Sequence, residues 1–194
     1  MIAVQIGANL GNDDFTKLIQ DKNITKLILV EPISECNDSI LKCYEHINNK
    51  FLENIIISDK IQETETIYFH KFDTLEYNRN GFELASLNPR HSLNIRSSYE
   101  EKDLLNRICP NMTINQLFEK YNLTDIDILY TDTEGSDSKI IKSIDFDKFN
   151  INEIYYEHLH IDANDLREFL KNKGYQIEER IWPPFGWSDR AYKQ

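Results

Sequence analysis

The chain has 194 residues, of which 40% are hydrophobic, so its length and composition favour one globular domain and give no sign of disorder. Its formal net charge is -11, from 33 acidic and 22 basic side chains, which argues against DNA or RNA as a partner because nucleic-acid binding depends on clustered Lys and Arg. No apolar run approaches about 18 residues, so we expect no membrane span and a cytoplasmic protein.

Signals for a strand, a turn and a helix follow one another from the start of the sequence. The apolar run Ile2–Ile6 predicts a strand. Gly7 and Gly11 come next, and their missing Cβ atoms permit a tight turn and a close approach of the backbone to a ligand. A helical pattern over residues 13–22 leads to a second apolar run, Lys26–Val30. This order indicates a β-α-β unit with a ligand loop after its first strand.

Glu31 and Pro32 directly follow the second predicted strand. A carboxylate at that strand end can accept hydrogen bonds from both hydroxyls of a ribose. Asn12, Asp13 and Asp14 stand where a dinucleotide loop has its third glycine, and two carboxylates there would repel a diphosphate. S-adenosylmethionine has no phosphate and carries two positive groups, so the loop favours it over NAD. The alternative is a turn without a ligand, in which Asp13 caps the helix.

The rest of the sequence alternates predicted strands and helices. Further helices are predicted over residues 34–48, 113–121, 136–144 and 163–173, and further strands over residues 54–58, 127–131, 153–157 and 175–181, with an extra hairpin edge near 65–71. Repeated β-α units predict an α/β fold. We expect a Rossmann-like, doubly wound, mostly parallel sheet with helices on both faces, in a single domain over residues 1–194.

Two segments depart from this alternation. Residues 73–110 are polar and irregular, with a short helix predicted over 98–107, and a long insert of this kind near a cofactor site is typical of a substrate loop. Residues 182–194 combine Pro and Gly with aromatic residues. This tail is predicted either to return as a seventh strand near Ala191 or to act as a lid.

Several blocks of the sequence resemble one protein family. They are, in chain order, Gly7-Ala8-Asn9-Leu10-Gly11-Asn12, Val30-Glu31-Pro32, Ile57-Ser58-Asp59, Ala85-Ser86-Leu87, Met112-Thr113-Ile114-Asn115-Gln116-Leu117, the run from Ile126 to Gly135, and Tyr156-Glu157-His158. These blocks look like those of the FkbM family of S-adenosylmethionine-dependent O-methyltransferases. The most specific is the Asp-x-Glu-Gly block at 132–135, which follows a hydrophobic strand.

The resemblance implies a class I methyltransferase fold and S-adenosylmethionine as the methyl donor. The cofactor contacts that follow from the loop and the resemblance are Gln5, Gly7, Ala8, Asn9, Gly11, Asn12, Glu31, Pro32, Ser58, Asp59 and Asp132. Among them, Ser58 and Asp59 are expected beside the adenine.

Candidate catalytic residues lie at the carboxyl ends of two predicted strands, where ligands bind in a parallel sheet. They are Asp132, Glu134, Glu157 and His158. When a sugar hydroxyl attacks the sulfonium methyl, a base must accept its proton. We expect Asp132 to be that base, with His158 and Glu134 assisting. The reaction is predicted to need no metal. Binding of Mg²⁺ by the same four side chains is the alternative.

The acidic chain suits a neutral acceptor, so we expect a hydroxyl of a sugar, a glycan or a glycosylated small molecule. The predicted acceptor contacts are Ser86, Arg90, His91, Glu157 and Trp187. The first strand begins at residue 2, which predicts either a minimal catalytic domain or one taken from a longer protein. A second copy of the chain or an attached glycosyltransferase domain would then complete the acceptor pocket.

A catalytically silent nucleoside-binding or interaction domain is the rival hypothesis. Gln5 stands where family members usually carry an acidic residue, and a Lys or Arg is common where Tyr130 or Thr131 stands. A silent domain would bind neither S-adenosylmethionine nor its demethylated product.

Overall fold

A computed structural model describes residues 1–77, 81–181 and 187–193 of the chain. In chain order its strands and helices are β1 (Ile2–Ile6), α1 (Asp14–Ile19), β2 (Lys26–Val30), α2 (Asn37–Cys43), β3 (Lys50–Glu53), β4 (Ile56–Ile57), β5 (Thr64–His70), α3 (His91–Ile95), β6 (Leu104–Met112), α4 (Ile114–Lys120), β7 (Asp125–Thr131), α5 (Asp137–Lys142), β8 (Asn150–Glu157), α6 (Ala163–Asn172), β9 (Gln176–Ile181) and β10 (Ser188–Tyr192). Short 3-10 helices also occur, at Ser34–Cys36, Lys71–Asp73, Leu75–Tyr77 and Glu101–Asp103.

The centre of the fold is a seven-stranded sheet in the order β3-β2-β1-β7-β8-β10-β9. Strand β10 runs antiparallel to both of its neighbours, and the other pairings of this sheet are parallel. One core cluster contains Phe118 and Leu166 from the helices on one face, and a second contains Phe15 and Ile40 from helices on the other. The predicted doubly wound α/β sheet is therefore confirmed.

Strand β10 covers Ala191, so the predicted return of the tail as a seventh strand of the main sheet is confirmed. Residues 182–186, on which much of the lid alternative depends, lie outside the described residues. No helix in the described part of the chain is both long enough and apolar enough to cross a membrane.

A second sheet of three strands, in the order β4-β6-β5, differs from the sequence-based expectation. The helix predicted over 98–107 is wrong, because Leu104–Met112 forms strand β6, antiparallel to β5. The strand predicted over 54–58 is also misplaced. The third strand of the main sheet is β3, at Lys50–Glu53, whereas Ile56–Ile57 pairs with β6 in the second sheet. Part of the predicted substrate loop is therefore a regular strand.

Candidate active site

Two adjoining cavities lie at the carboxyl ends of the central strands. The first, of about 200 Å³, is lined by Ile6, Gly7, Asn9, Asp13, Val30, Glu31, Pro32, Ile55, Ile56, Ile57, Ile67, Phe82, Glu83, Ala85, Ser86, Leu87, Asp132, Thr133, Glu134, Ser136, Glu157 and Trp187. The second, of about 340 Å³, is lined by Ser58, Asp59, Lys60, Ser86, Leu87, Asn88, His91, Glu134, Gly135, Ser136, Lys139, Ile140 and His160. Ser86, Leu87, Glu134 and Ser136 belong to both linings and form the wall between them.

Gly7 brings the ends of β1 and β7 together. Its φ is +82°, and a Cβ there would lie 1.9 Å from the backbone oxygen of Asp132. Gly11 also has a positive φ, but it packs against helix α2 instead of lining a cavity. Ala8 is buried in the core and Asn12 is exposed, and neither lines a described cavity. Of the predicted loop contacts, Gly7 and Asn9 therefore reach the first cavity.

Glu31 lies in the first cavity with Pro32 beside it. Only 6% of its surface is exposed, and its two carboxylate oxygens accept backbone N–H bonds from Asn9 (2.8 Å) and Ile33 (3.0 Å). Burial raises the pKa of Glu31 to about 7, against the opposing effect of these two donors. The carboxylate is thus fixed in direction, and hydroxyl donors would favour its charged form.

Gln5 is not among the described residues that line either cavity, so its predicted contact with the cofactor stays a prediction. Its buried amide Nε2 donates to Asp13 Oδ2 at 2.5 Å, and Tyr44 donates its hydroxyl to Gln5 Oε1 at 3.1 Å. Asp13, the N-cap of α1, lines the first cavity in its place, and burial raises the pKa of Asp13. Gln5 therefore positions a carboxylate that the predicted contact set did not include.

Asp132, Glu134 and Glu157 converge on the first cavity. One oxygen of each carboxylate lies within 4.8 Å of the others. Burial is the largest cause of a raised pKa in all three, and repulsion by neighbouring carboxylates, including the buried Asp137, raises the pKa values further. Such a cluster attracts a cation or a proton.

Two histidines approach the same carboxylates. His91 Nε2 lies 2.5 Å from Glu134 Oε2, and His160 Nε2 lies 3.6 Å from that oxygen and 3.8 Å from Glu157 Oε1. The two imidazole rings meet edge to face, with centroids 4.6 Å apart. His160 was missed in the sequence, where it reads as a loop residue three positions after Glu157.

The structure corrects the predicted position of His158, which is not among the described residues that line either cavity. Its Nδ1 lies 3.3 Å from Asp189 Oδ1, within ion-pair range but without hydrogen-bond geometry. Asp189 also accepts a 2.7 Å bond from Arg167 Nε. His158 therefore lies beside Asp189 of strand β10, and its predicted catalytic role stays a prediction.

The other predicted contacts divide between the two cavities. Ser58 and Asp59 line the second cavity, away from Glu31, so their place beside the adenine stays a prediction. Ser86 lies in the shared wall and donates to the Glu134 backbone oxygen at 2.8 Å. Trp187, 54% exposed, lines the first cavity. Arg90 is exposed and is not among the residues that line either described cavity, so its contact with the acceptor stays a prediction.

Comparisons with known proteins agree on the fold. The structure resembles the methyltransferase FkbM from Methylobacillus flagellatus KT, with a TM-score of 0.54, 15% identity and coverage of 98% of this chain and 43% of that chain. It also resembles precorrin-6y C5,15-methyltransferase from Geobacter metallireducens GS-15, with a TM-score of 0.51, 13% identity and coverage of 100% of this chain and 80% of that chain. A third similar structure is a fibrillarin/Nop5p complex, with a TM-score of 0.50, 12% identity and coverage of 99% of this chain and 72% of that chain. The chain thus spans less than half of the length of the FkbM structure.

Sequence comparison identifies the family. No curated protein sequence gives a significant match. The model of the methyltransferase FkbM domain, however, matches residues 5–177, which include the glycine loop, Glu31 and the Asp-x-Glu-Gly block. The chain therefore belongs to the FkbM methyltransferase family.

Proposed function

We propose that this domain transfers the methyl group of S-adenosylmethionine to a hydroxyl oxygen of a sugar, a glycan or a glycosylated small molecule. The observation that carries the proposal is the set of acidic side chains that line the first cavity. Its described lining contains six carboxylates, on Asp13, Glu31, Glu83, Asp132, Glu134 and Glu157, and no Lys, Arg or His. Burial raises the pKa of most of these groups, and a sulfonium or an ammonium would favour their ionised forms, whereas a diphosphate would find no basic side chain among the described lining.

The shape of the first cavity also suits this donor. Glu31 is fixed for hydrogen bonds from ribose hydroxyls, and Ile56, Ile67 and Phe82 supply an apolar lining for a base. The Oδ1 atom of Asn9 is buried and accepts no hydrogen bond from a described residue, so it is available to a donor group on the ligand.

The chemistry is an in-line displacement in which the sulfonium is already activated. The protein's tasks are to align the two reactants, exclude water and accept the proton of the attacking hydroxyl. Asp132 is our proposed base, because it directly follows β7 and lines the first cavity beside Gly7. The polar second cavity, with Asn88 and Ser86, is our proposed place for the acceptor.

Binding of the donor is the direct test of the proposed function. Calorimetry should show saturable binding of S-adenosylmethionine and of S-adenosylhomocysteine, and no binding of NAD. A silent domain would bind neither methionine derivative. A screen of glycans with methyl-labelled S-adenosylmethionine would then identify the acceptor, and incorporation of label only into nucleic acid or protein would contradict the acceptor part of the proposal.

Substituting Glu31 should weaken donor binding. Glu31→Ala removes an acceptor for two hydroxyls, and hydrogen bonds to a charged group contribute about 1.5 to 3 kcal/mol, so we expect a dissociation constant roughly 10- to 150-fold larger. Glu31 also accepts the backbone N–H groups of Asn9 and Ile33, so the apo variant should melt at a lower temperature, and binding is measured below that temperature. Glu35→Ala is the matched control, because Glu35 pairs with Arg107 outside the first cavity. An unchanged dissociation constant in Glu31→Ala would remove Glu31 from the donor site.

Donor affinity should also depend on pH through Glu31. Its pKa in the free protein is about 7, whereas the ribose hydroxyls would bind the ionised form. Below pH 7 binding must therefore displace a proton, and affinity should fall by about tenfold per pH unit, while above pH 7 it should level off. Calorimetry in buffers of different ionisation enthalpy would count the released proton. The same slope in Glu31→Gln would contradict this assignment.

A further inference from the structure

We infer that His91, His160 and Glu134 form a binding site for a divalent transition-metal ion, with Glu157 as a fourth ligand, at the wall between the two cavities. His91 and His160 line the second cavity, Glu157 lines the first, and Glu134 lines both. The existence of the site is independent of the donor. Its catalytic role rests on the proposed function.

The donor atoms already lie close together. One ligand atom from each of His91, Glu134 and His160 falls within 4.8 Å of the others, and the individual separations from Glu134 Oε2 are 2.5 Å and 3.6 Å. Ligands held about 2.0 to 2.2 Å from one ion stand about 3 Å apart. Small shifts of these side chains would therefore complete a coordination sphere.

Three separate segments of the fold bring these ligands together. His91 is the first residue of α3, Glu134 follows β7, and His160 follows β8. Glu134 has the uncommon positive φ of 50°, and its backbone oxygen accepts the Ser86 hydroxyl, so its side chain is directed by the backbone. The convergence is a property of the tertiary fold and not of one acidic segment.

Glu157 supplies a separate indication that a ligand is missing from this place. It is 8% exposed, and its Oε2 atom has no hydrogen-bond partner among the described residues. Its only ion-pair partner in the described part of the chain is His160, although Asp132 and Glu134 lie within reach of it. A buried acceptor without a partner costs free energy, and a cation would satisfy it.

The ligand types select the class of metal. Imidazole nitrogens with carboxylates suit Mn²⁺, Fe²⁺, Co²⁺ or Zn²⁺, whereas Mg²⁺ prefers a shell of oxygens. This ligand set differs from the Mg²⁺ site considered in the sequence analysis. His91 and His160 take the place of His158, and Asp132 is not a ligand.

A metal here would activate the acceptor. Coordination lowers the pKa of a bound hydroxyl, so its proton can pass to Asp132. The resulting oxygen attacks the methyl carbon, the C–O bond forms as the C–S bond breaks, and the electron pair of that bond goes to sulfur. The donor leaves as a neutral thioether.

Titration with Co²⁺ tests the site without any methyl transfer. The probe is CoCl₂ added to chelator-treated protein without a histidine tag, followed by calorimetry and by visible absorption, which reports on the ligands. We expect one ion per chain. His160→Ala, and independently His91→Asn, should weaken binding by at least roughly tenfold, since even residues that only orient metal ligands change affinity by about 10- to 100-fold. His46→Ala is the matched control, because His46 is exposed and lies outside both described cavities.

Melting curves would verify that each variant folds. The inference would be overturned by any of three results: Co²⁺ binding that does not saturate, Co²⁺ binding by folded His160→Ala as tight as that of the unaltered protein, or tighter binding of Mg²⁺ than of Co²⁺. Donor calorimetry on the same samples separates it from the proposed function. If the protein binds Co²⁺ but not S-adenosylmethionine, the metal site is upheld and the proposed function is contradicted. If the chelator-treated protein transfers methyl groups and never binds Co²⁺, the proposed function is upheld and the metal site is contradicted.

Discussion

Gly7→Ala should abolish donor binding and strongly destabilise the fold. The new Cβ would lie 1.9 Å from the Asp132 backbone oxygen and 2.9 Å from its carbonyl carbon, so β1 and β7 must separate at the point where they form the first cavity. The left-handed φ of +82° adds about 1 to 2 kcal/mol of strain for a residue with a side chain. Urea unfolding should show a loss of several kcal/mol in total, and calorimetry should detect no S-adenosylmethionine binding.

Gly174→Ala is the matched control for this experiment. Gly174 has a similar φ of +88°, but a Cβ there meets no atom within 4 Å. Gly174→Ala should therefore lower the free energy of unfolding only by the backbone strain and leave donor binding unchanged. Equal losses of stability in the two variants would show that the contact with Asp132 contributes nothing. Normal donor binding by Gly7→Ala would contradict the proposed location of the donor.

Asp132→Asn should lower kcat by about 10²- to 10⁴-fold with donor affinity kept within a few-fold. The amide keeps the shape of the side chain but cannot accept the proton of an attacking hydroxyl. The backbone oxygen near Gly7 is unchanged, so the cavity should persist. Steady-state rates with an acceptor from the glycan screen, together with calorimetry on the donor, would measure both quantities.

His158→Gln is the informative comparison for the base. His158 faces Asp189 and not the described cavities, so this variant should retain most of the activity. If His158→Gln loses as much activity as Asp132→Asn, the two residues would have to act together. If Asp132→Asn keeps nearly full activity, another group accepts the proton.

The parts of the fold that the sequence predicts best are the buried ones. Strands β1 and β2 lie where their apolar runs predict them, because strands covered on both faces read as continuous hydrophobic sequence. The helix predicted over 113–121 is present as α4, which begins after the N-cap Thr113 with a capping box to Gln116. These signals are local, so the sequence carries them without knowledge of the tertiary structure.

The second sheet could not be predicted in the same way. Strand β6 contains Asn106, Arg107 and Pro110, and several of its residues are exposed, so its pattern resembles that of a loop. Strand β3 is short and lies at an edge of the main sheet, and it buries no continuous apolar run. Both strands depend on pairing with distant residues, which a local pattern does not reveal.

The candidate site shows the same division. Glu31 and Asp132 end buried strands, and the sequence predicted that both would face a ligand at the carboxyl edge of the sheet. His160 lies in the loop after β8, where chain direction depends on tertiary contacts and where periodicity gives no information. The sequence therefore favoured His158 over His160 at the candidate site. The direction of a side chain just after a strand depends on the turn that follows the strand.

Strand β10 has a consequence for how the chain is made. It separates β8 from β9, although β9 precedes it in the sequence. During translation β9 is synthesised before β10, the strand with which it pairs. Until β10 emerges, the backbone groups along one edge of β8 (Asn150–Glu157) have no strand to pair with. Unpaired strand edges recruit foreign strands. The edge of β8 is therefore open to misassembly until Ser188–Tyr192 has emerged and paired with it.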